Sequence, residues 1–298
     1  MDRDVLLQVS EEDLPQVLNT LEKFLPDSIV PYEWISLHLR WRVTTPSLKL
    51  RIFSPAGSSW KEGILICLSD GLADCGKMYG VMYAPLEKTA TLRASALKTK
   101  LIDWERVIHI ACLLDRHLPI LTEVLKVNGF KCTGDYHIPC KLLYMPIQKA
   151  VECPLPRVSD KVRVGSVDLS HFQTVFDHWS MRDDLEFKPI VKKMITENPS
   201  VGIFVTKDDG CSEELASMVL QAEYGAVGLL QTLPSFERRG YASIALAHQT
   251  RNLAHAGVTP YAAILLQNEA SIRLFRLVGY EELGVSTWVV FKKLYLDD

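Results

Sequence analysis

The sequence lacks three features that would have assigned it to a familiar class. It has no apolar run of membrane-spanning length, no C-x-x-C pair and no basic excess, since its formal net charge is −3. These absences argue against a transmembrane helix, a zinc ribbon, and nucleic acid or an anionic membrane as the main partner. Its 298 residues, 48% hydrophobic and 23% charged, are typical of a globular chain with room for two domains.

Disulfide and targeting signals are also missing. The seven cysteines are odd in number and scattered, which argues against a disulfide framework and favours a reducing compartment. The first residues, MDRDVLLQVSEEDLP, lack the apolar core of a signal peptide and carry too many acids for a mitochondrial transit peptide. We therefore expect a cytoplasmic protein.

Hydrophobic periodicity predicts a mixed α/β chain with a connector near its middle. Residues 146–160 hold three prolines, which neither continue a helix nor donate to a strand ladder, so we expect domains at 1–155 and 156–298. The first half is predicted to contain helices at 14–25 and 118–127 and strands at 64–68, 107–113 and 141–144.

The second half alternates more regularly, in the order β-α-α-β-β-β-α-β-α-β. Its predicted strands are 161–167, 201–206, 215–222, 224–230, 260–266 and 286–292, and its predicted helices are 170–179, 188–197, 241–256 and 269–278.

The ends of the two halves resemble each other. EVLKVNGFKC…CKLLYM at 123–145 matches RLFRLVGYEEL…FKKLYL at 273–296, with Gly129 and Gly279 in equivalent places. The shared pattern is a helix capped by glycine that leads into a strand, so chance similarity is one explanation. Tandem duplication is the other, and we predict it.

The stretch LPSFERRGYAS joins a predicted strand to a long predicted helix. A helix N-terminus has unpaired N–H groups and partial positive charge, so it binds phosphate where the backbone is accessible. Gly240 and Ala242 would give that access, Arg238 and Arg239 add charge, and Ser243 adds a hydroxyl. The alternative is an ordinary turn with solvated arginines. Farther on, Asn268 stands where it could cap the next helix or contact a ligand.

Together, T-L-P-x-F-x-R-R-G-Y-A and N-x-x-S-x-x-x-F-x-x-x-G-Y resemble the two coenzyme A segments of GNAT N-acyltransferases, over residues 161–298. LEKFLPDSIVPYEWI, VGSVDLSHFQTVFDHW and TLPSFERRG are similar to the glycine N-acyltransferase-like branch. The resemblance implies a GNAT fold, α/β with a mixed sheet, as two tandem units of which the N-terminal one is degenerate.

The GNAT resemblance also implies how acetyl-CoA or another acyl-CoA would bind, between two strands that splay apart. The main chain at Leu230 and Thr232 would bond to the pantetheine, and Asn268 and Ser271 would line the other side. The pyrophosphate would be held by Arg238, Arg239, Gly240, Tyr241, Ala242 and Ser243.

Three positions depart from the GNAT pattern. Glu237 replaces a Gln or Arg beside the pyrophosphate, Phe275 replaces a tyrosine acid, and Ala226 stands where glycine N-acyltransferases place a glutamate base. A proton acceptor is still required, and Glu223 and Tyr224 are the nearest candidates, although Glu223 could simply be part of a solvated turn. We predict no metal site, because His248 and His255 have no further ligands nearby in sequence.

The sequence therefore predicts an N-acyltransferase that moves an acetyl or other acyl group to a small-molecule amine, such as glycine or another small amino acid. Two alternatives remain open: a catalytically silent coenzyme A-binding or protein-interaction module, and a peptide or protein N-acetyltransferase. Acceptor, acyl length and oligomeric state are left open by the sequence.

Overall fold

A computed structural model describes residues 3–57, 60–71, 78–130, 137–179 and 188–291. The chain forms two compact units, and the division is not at a single point in the sequence. Unit 1 comprises residues 1–142 and 283–298, and unit 2 comprises residues 143–282. No helix in these ranges is long and apolar enough to cross a membrane.

Unit 1 contains a mixed sheet with helices packed around its apolar core. Its strand order is β1-β2-β3-β4-β5-β12-β6, in which β4 and β5 are parallel and β12 is antiparallel to β5. The elements are β1 (Leu6–Gln8), α1 (Leu14–Glu22), α2 (Ile29–Thr44), β2 (Lys49–Pro55), β3 (Leu65–Asp70), β4 (Met78–Tyr83), α3 (Thr89–Lys98), β5 (Val107–Leu114), α4 (Leu118–Val127), β6 (His137–Tyr144) and β12 (Glu281–Val290).

Unit 2 contains an antiparallel sheet in the order β10-β9-β8-β7, and β11, which is not part of that sheet. The last residues of β6 and the first of β12 fall in this unit. Its elements are α5 (Ile147–Val151), β7 (Val162–Gly165), α6 (Phe172–Asp177), α7 (Lys188–Glu197), β8 (Ser200–Thr206), β9 (Glu213–Gln221), β10 (Val227–Thr232), α8 (Tyr241–His255), β11 (Tyr261–Leu265) and α9 (Glu269–Val278).

The element order repeats along the chain. Before α5 it is β-α-α-β-β-β-α-β-α-β, and after α5 the same order recurs through β12. The two matched helices α4 and α9 both end at a glycine with positive φ, 81° at Gly129 and 113° at Gly279, followed by a bond back into the last turn from Phe130 and Tyr280. The predicted duplication therefore corresponds to a repeated order of elements. Residues 131–136 and 292–296 of the matched segments lie outside the described residues.

The observed elements differ from the predicted ones in identifiable places. The proline-rich connector contains the short helix α5, which starts directly after Pro146. The predicted strand from 224 begins only at Val227, because Tyr224 and Gly225 form the turn between β9 and β10. The predicted domain boundary at 155 stays a prediction. The end of the predicted strand 286–292 lies outside the described residues.

Candidate functional site

The central feature of unit 2 is an interruption between two strands, β10 and β11. Strand β10 is the terminal strand of its sheet and pairs with β9. Strand β11 belongs to a different sheet, in which its neighbour is β6. An edge strand presents N–H and C=O groups that no neighbouring strand satisfies. Within the described parts of the chain the backbone of β10 therefore has a free edge, and the two strands that the resemblance predicts to splay apart do not pair.

A bulge interrupts β10 near its middle. Gly228 pairs with Leu220 and Gln231 pairs with Met218, so that Leu229 and Leu230 together face one residue of β9. Leu229 has φ of 51°, a left-handed conformation that costs a non-glycine residue about 1–2 kcal/mol. Bulges redirect backbone groups and terminate regular pairing. The sequence analysis missed this bulge, and no residue type in Leu229-Leu230 signals it.

The predicted main-chain contacts, Leu230 and Thr232, both lie on β10 and are half-buried. The Thr232 hydroxyl is 2.9 Å from the Ser217 hydroxyl, which in turn donates to the carbonyl of Gln231. The side chain of Thr232 is thus anchored to β9, and only its main chain is offered to a ligand at the free edge.

The predicted anion site is the turn between β10 and α8. Gly240 is the N-cap of α8 with φ of 80° and no side-chain cap, and nothing lies within 4 Å of where a Cβ would stand. The N–H groups of Tyr241 and Ala242 precede the first intrahelical bonds, whereas that of Ser243 donates to the Gly240 carbonyl at 3.1 Å. Exposed backbone donors and the helix dipole favour an anion at this point.

Arg238 and Arg239 are both exposed in this turn. Within the described part of the chain neither forms an ion pair, and Arg239 stacks over the Phe236 ring at 5.5 Å. Arg238 has φ of 60°, so the turn holds it in an uncommon conformation. Glu237 is exposed as well, which lets its carboxylate remain solvated beside a bound anion.

The second predicted segment forms the start of α9. Asn268 is its N-cap, and the side-chain oxygen accepts the Ser271 N–H at 3.1 Å. Phe275 is buried and packs edge-on against Tyr280, with ring centroids 4.9 Å apart. The Tyr280 hydroxyl lies 2.8 Å from that of Thr250, and burial raises its pKa. Phe275 and Tyr280 therefore pack in the core.

The two proton-transfer candidates lie at the opposite end of β10 from α8. Glu223 is 7% exposed, and burial raises the pKa of its carboxyl to about 7. It is therefore not the solvated turn residue of the alternative interpretation. The Tyr224 hydroxyl lies beside Gly228 of β10, since a Cβ added at Gly228 would be 3.6 Å from it. Gly228 directly precedes the bulge.

No metal-binding group of His, Cys, Asp and Glu occurs among the described residues. A cleft of about 790 Å³ does occur in unit 2, but it lies around the ends of β7 and α7 and the start of β8 rather than at β10. Three of its polar side chains bond within the protein: Ser200 to the Val167 main chain, Asn198 to the Gln221 carbonyl and Asp168 to Ser170. The cleft therefore lies apart from the edge of β10 that the sequence analysis predicts to bind a ligand.

The equivalent place in unit 1 contains a cluster of bonded polar side chains. There β4 and β5 pair from Met78 to Gly80. Beyond that point Arg116 and His117 both bond to the Ala84 carbonyl, at 3.1 and 3.0 Å, and Arg116 also forms a two-bond ion pair with Asp27. His117 occupies the N-cap position of α4 that Asn268 occupies in α9, but it is fully buried.

Comparison with known proteins agrees with this architecture. Residues 200–289 match the family model described as FR47-like protein. A Drosophila protein solved by a structural genomics consortium shares 18% identity with the chain over 97% of its length and 99% of the other, with a TM-score of 0.81. A search of curated proteins finds no match.

Two solved acetyltransferase-type structures are also similar to this chain. A GCN5-related N-acetyltransferase from Kribbella flavida is 16% identical to this chain, and the match covers 87% of this chain and 96% of the other, with a TM-score of 0.52. A tandem GNAT protein from the clavulanic acid biosynthesis pathway is 9% identical, with 95% and 96% covered and a TM-score of 0.51. The chain thus has the predicted GNAT fold, with its order of elements occurring twice along the sequence.

Proposed function

We propose that unit 2 is an acyl-CoA-dependent N-acyltransferase that transfers an acetyl or other acyl group to the amine of a small molecule. The observation that carries this proposal is the edge of β10, which has no strand partner among the described residues and leads to a helix N-terminus flanked by two exposed arginines. An extended chain with amide groups can bond along such an edge, and a pyrophosphate suits the helix end.

The dimensions of β10 fit an extended pantetheine arm. Five residue steps separate Thr232 from Val227, which corresponds to about 17 Å of extended strand. With the pyrophosphate at the backbone of Gly240 to Ala242, the arm would pass Thr232 and Leu230 and bring the thioester to the bulge at Leu229. Asn268 and Ser271 would line the opposite side, from the start of α9.

Glu223 is the proposed general base. An amine acceptor is protonated near neutral pH and must lose a proton before its nitrogen attacks the thioester carbonyl. A carboxyl with a pKa of about 7 is ionised in part at that pH and basic enough to accept this proton, directly or through one water. When the C–N bond forms and the C–S bond breaks, the departing thiolate takes a proton, for which the Tyr224 hydroxyl is the proposed donor.

Unit 1 is proposed to be the degenerate unit and to bind no acyl-CoA. The argument is the cluster of Arg116, Asp27 and the buried His117 at the end of β4, which occupies main-chain positions that a pantetheine would need. One acyl-CoA per chain is the expected stoichiometry.

Isothermal titration with acetyl-CoA and with coenzyme A tests ligand binding directly. We expect saturable binding of one ligand per chain, and its loss in Gly240→Asp, which places a carboxylate at the helix N-terminus. Glu214→Gln, an exposed site on β9, is the control and should bind like the wild type. Absence of binding at millimolar ligand would remove the proposal.

A catalytically silent coenzyme A-binding module is the second candidate function. It is favoured by Phe275 and Ala226, which are buried and carry no ionisable group where proton transfer was expected. A turnover assay with acyl-CoAs of increasing length separates the two, with glycine and other small amino acids as the first acceptors because of the glycine N-acyltransferase-like resemblance. Mass spectrometry of a peptide mixture under the same conditions detects the third possibility, a peptide or protein N-acetyltransferase.

A further inference from the structure

A buried tyrosine links β11 to the turn between β9 and β10. The Tyr261 side chain is fully buried at the start of β11, and its hydroxyl donates to the Tyr224 carbonyl at 2.5 Å. The two tyrosine rings also meet edge-on at 6.4 Å. Because β10 and β11 share no strand pairing, this side-chain bond joins the two sides of the interruption at the end where both strands begin.

The same turn is fixed from the β9 side by amide side chains. Gln221 donates its Nε2 to the Gly225 carbonyl at 3.0 Å, and Asn198 donates its Nδ2 to the Gln221 carbonyl at 2.8 Å. Gln221 is fully buried and Asn198 nearly so. Every one of these bonds is to a main-chain carbonyl, so together they hold the backbone of residues 221–225 in one conformation.

Glu223 lies inside this segment, one residue before the carbonyl that Tyr261 bonds. Its own side chain is buried in the same turn, so the direction of its carboxyl depends on the turn backbone. Displacing a catalytic group by about 1 Å is enough to reduce a rate on the order of a hundredfold. A tether at the residue next to Glu223 is therefore placed where it would set the base relative to the bulge.

We propose that Tyr261 is a positioning residue: by tethering the turn to β11, its hydroxyl sets the spacing at the closed end of the β10–β11 gap and aims Glu223 at the thioester. It acts through the turn and contacts no reacting atom. The catalytic half of this inference rests on the proposed acyltransferase function, whereas the tether itself does not.

Tyr261→Phe is the test variant, and Tyr280→Phe is the matched control. Both remove the hydroxyl of a buried tyrosine in unit 2 and retain the ring, but the Tyr280 hydroxyl bonds to Thr250, away from the turn. Amide hydrogen exchange at 222–230 should become at least about tenfold faster in Tyr261→Phe than in the control. We expect kcat to fall on the order of tenfold, with KM for acyl-CoA within about twofold of wild type.

The outcomes separate the two proposals. Wild-type exchange at 222–230 in Tyr261→Phe, or equal acceleration in both variants, would overturn the tether. Faster exchange with an unchanged kcat would overturn the positioning of Glu223, and so would a loss that appears only in KM. If the wild type binds no acyl-CoA and turns over no amine, the acyltransferase proposal fails, and the exchange result alone then decides the tether.

Discussion

Replacing Glu223 by glutamine should stabilise unit 2 in a pH-dependent way. Burial raises the pKa of this carboxyl from 4.5 to about 7 in the folded protein, so ionisation is more favourable in the unfolded chain. The free energy of unfolding therefore falls as pH rises from about 4.5 to about 7 and is constant on either side. At 1.36 kcal/mol per pH unit, the loss is about 3 kcal/mol.

Glutamine cannot ionise, so Glu223→Gln should escape this loss. At pH 8 it should unfold at a temperature on the order of 6–12 °C higher than the wild type, while at pH 4.5 the two should coincide within a few degrees. Thermal unfolding followed by circular dichroism at both pH values measures the difference. Glu214→Gln, at an exposed carboxyl on β9, is the control and should show no such crossover. A Glu223→Gln protein that is equally stable or less stable at pH 8 would refute the reasoning.

Further predictions concern the site and its surroundings. If Glu223 is the base, kcat should rise with pH through about 7 and Glu223→Gln should lower it about a hundredfold or more; a pH-rate profile checks both. Arg238→Gln combined with Arg239→Gln should weaken acyl-CoA binding about tenfold and flatten its salt dependence in titrations, whereas Arg273→Gln, which breaks only an exposed pair with Glu269, should not. Gly240→Ala and Gly257→Ala should each lower the free energy of unfolding, measured with denaturant, by about 1 kcal/mol. The reason is the same at both positions, since φ is 80° and 77° and an added Cβ would have no neighbour within 4 Å. Only Gly240→Ala should also reduce the affinity for acyl-CoA. Tyr280→Phe should lose about 1 kcal/mol of stability with normal turnover.

Local patterns predicted several helices in both halves of the chain correctly. Helices α4, α7 and α9 were predicted with their observed bounds because their apolar spacing is regular and their ends carry turn or capping residues. The sequence analysis did not identify α2 or α3. Helix α2 is buried on several sides, with Ile29, Trp34 and Trp41 all in the core, so its apolar residues show no single stripe. Periodicity cannot separate such a helix from a buried strand.

Local sequence patterns predicted only part of the candidate site. The turn with Gly240 and the cap at Asn268 are local features, and both were predicted. The bulge at Leu229 depends on how β10 pairs with β9, and the burial of Glu223 depends on packing from several elements, so neither is encoded in adjacent residues. The pairing of β12 with β5 is likewise non-local, so no local pattern predicts it.

That pairing has a consequence for synthesis on the ribosome. Strand β5 has β4 on one side, but its other neighbour, β12, is translated more than 160 residues later, since Leu114 pairs with Ser286. Until then one edge of β5 is exposed, and β5 contains the apolar run Val107 to Leu114, a hazard for association with other nascent chains. All of unit 2 must be translated before β12 can pair with β5 and complete the sheet of unit 1. A ribosome that slows or stalls in the second half of the sequence should therefore lower the yield of folded unit 1.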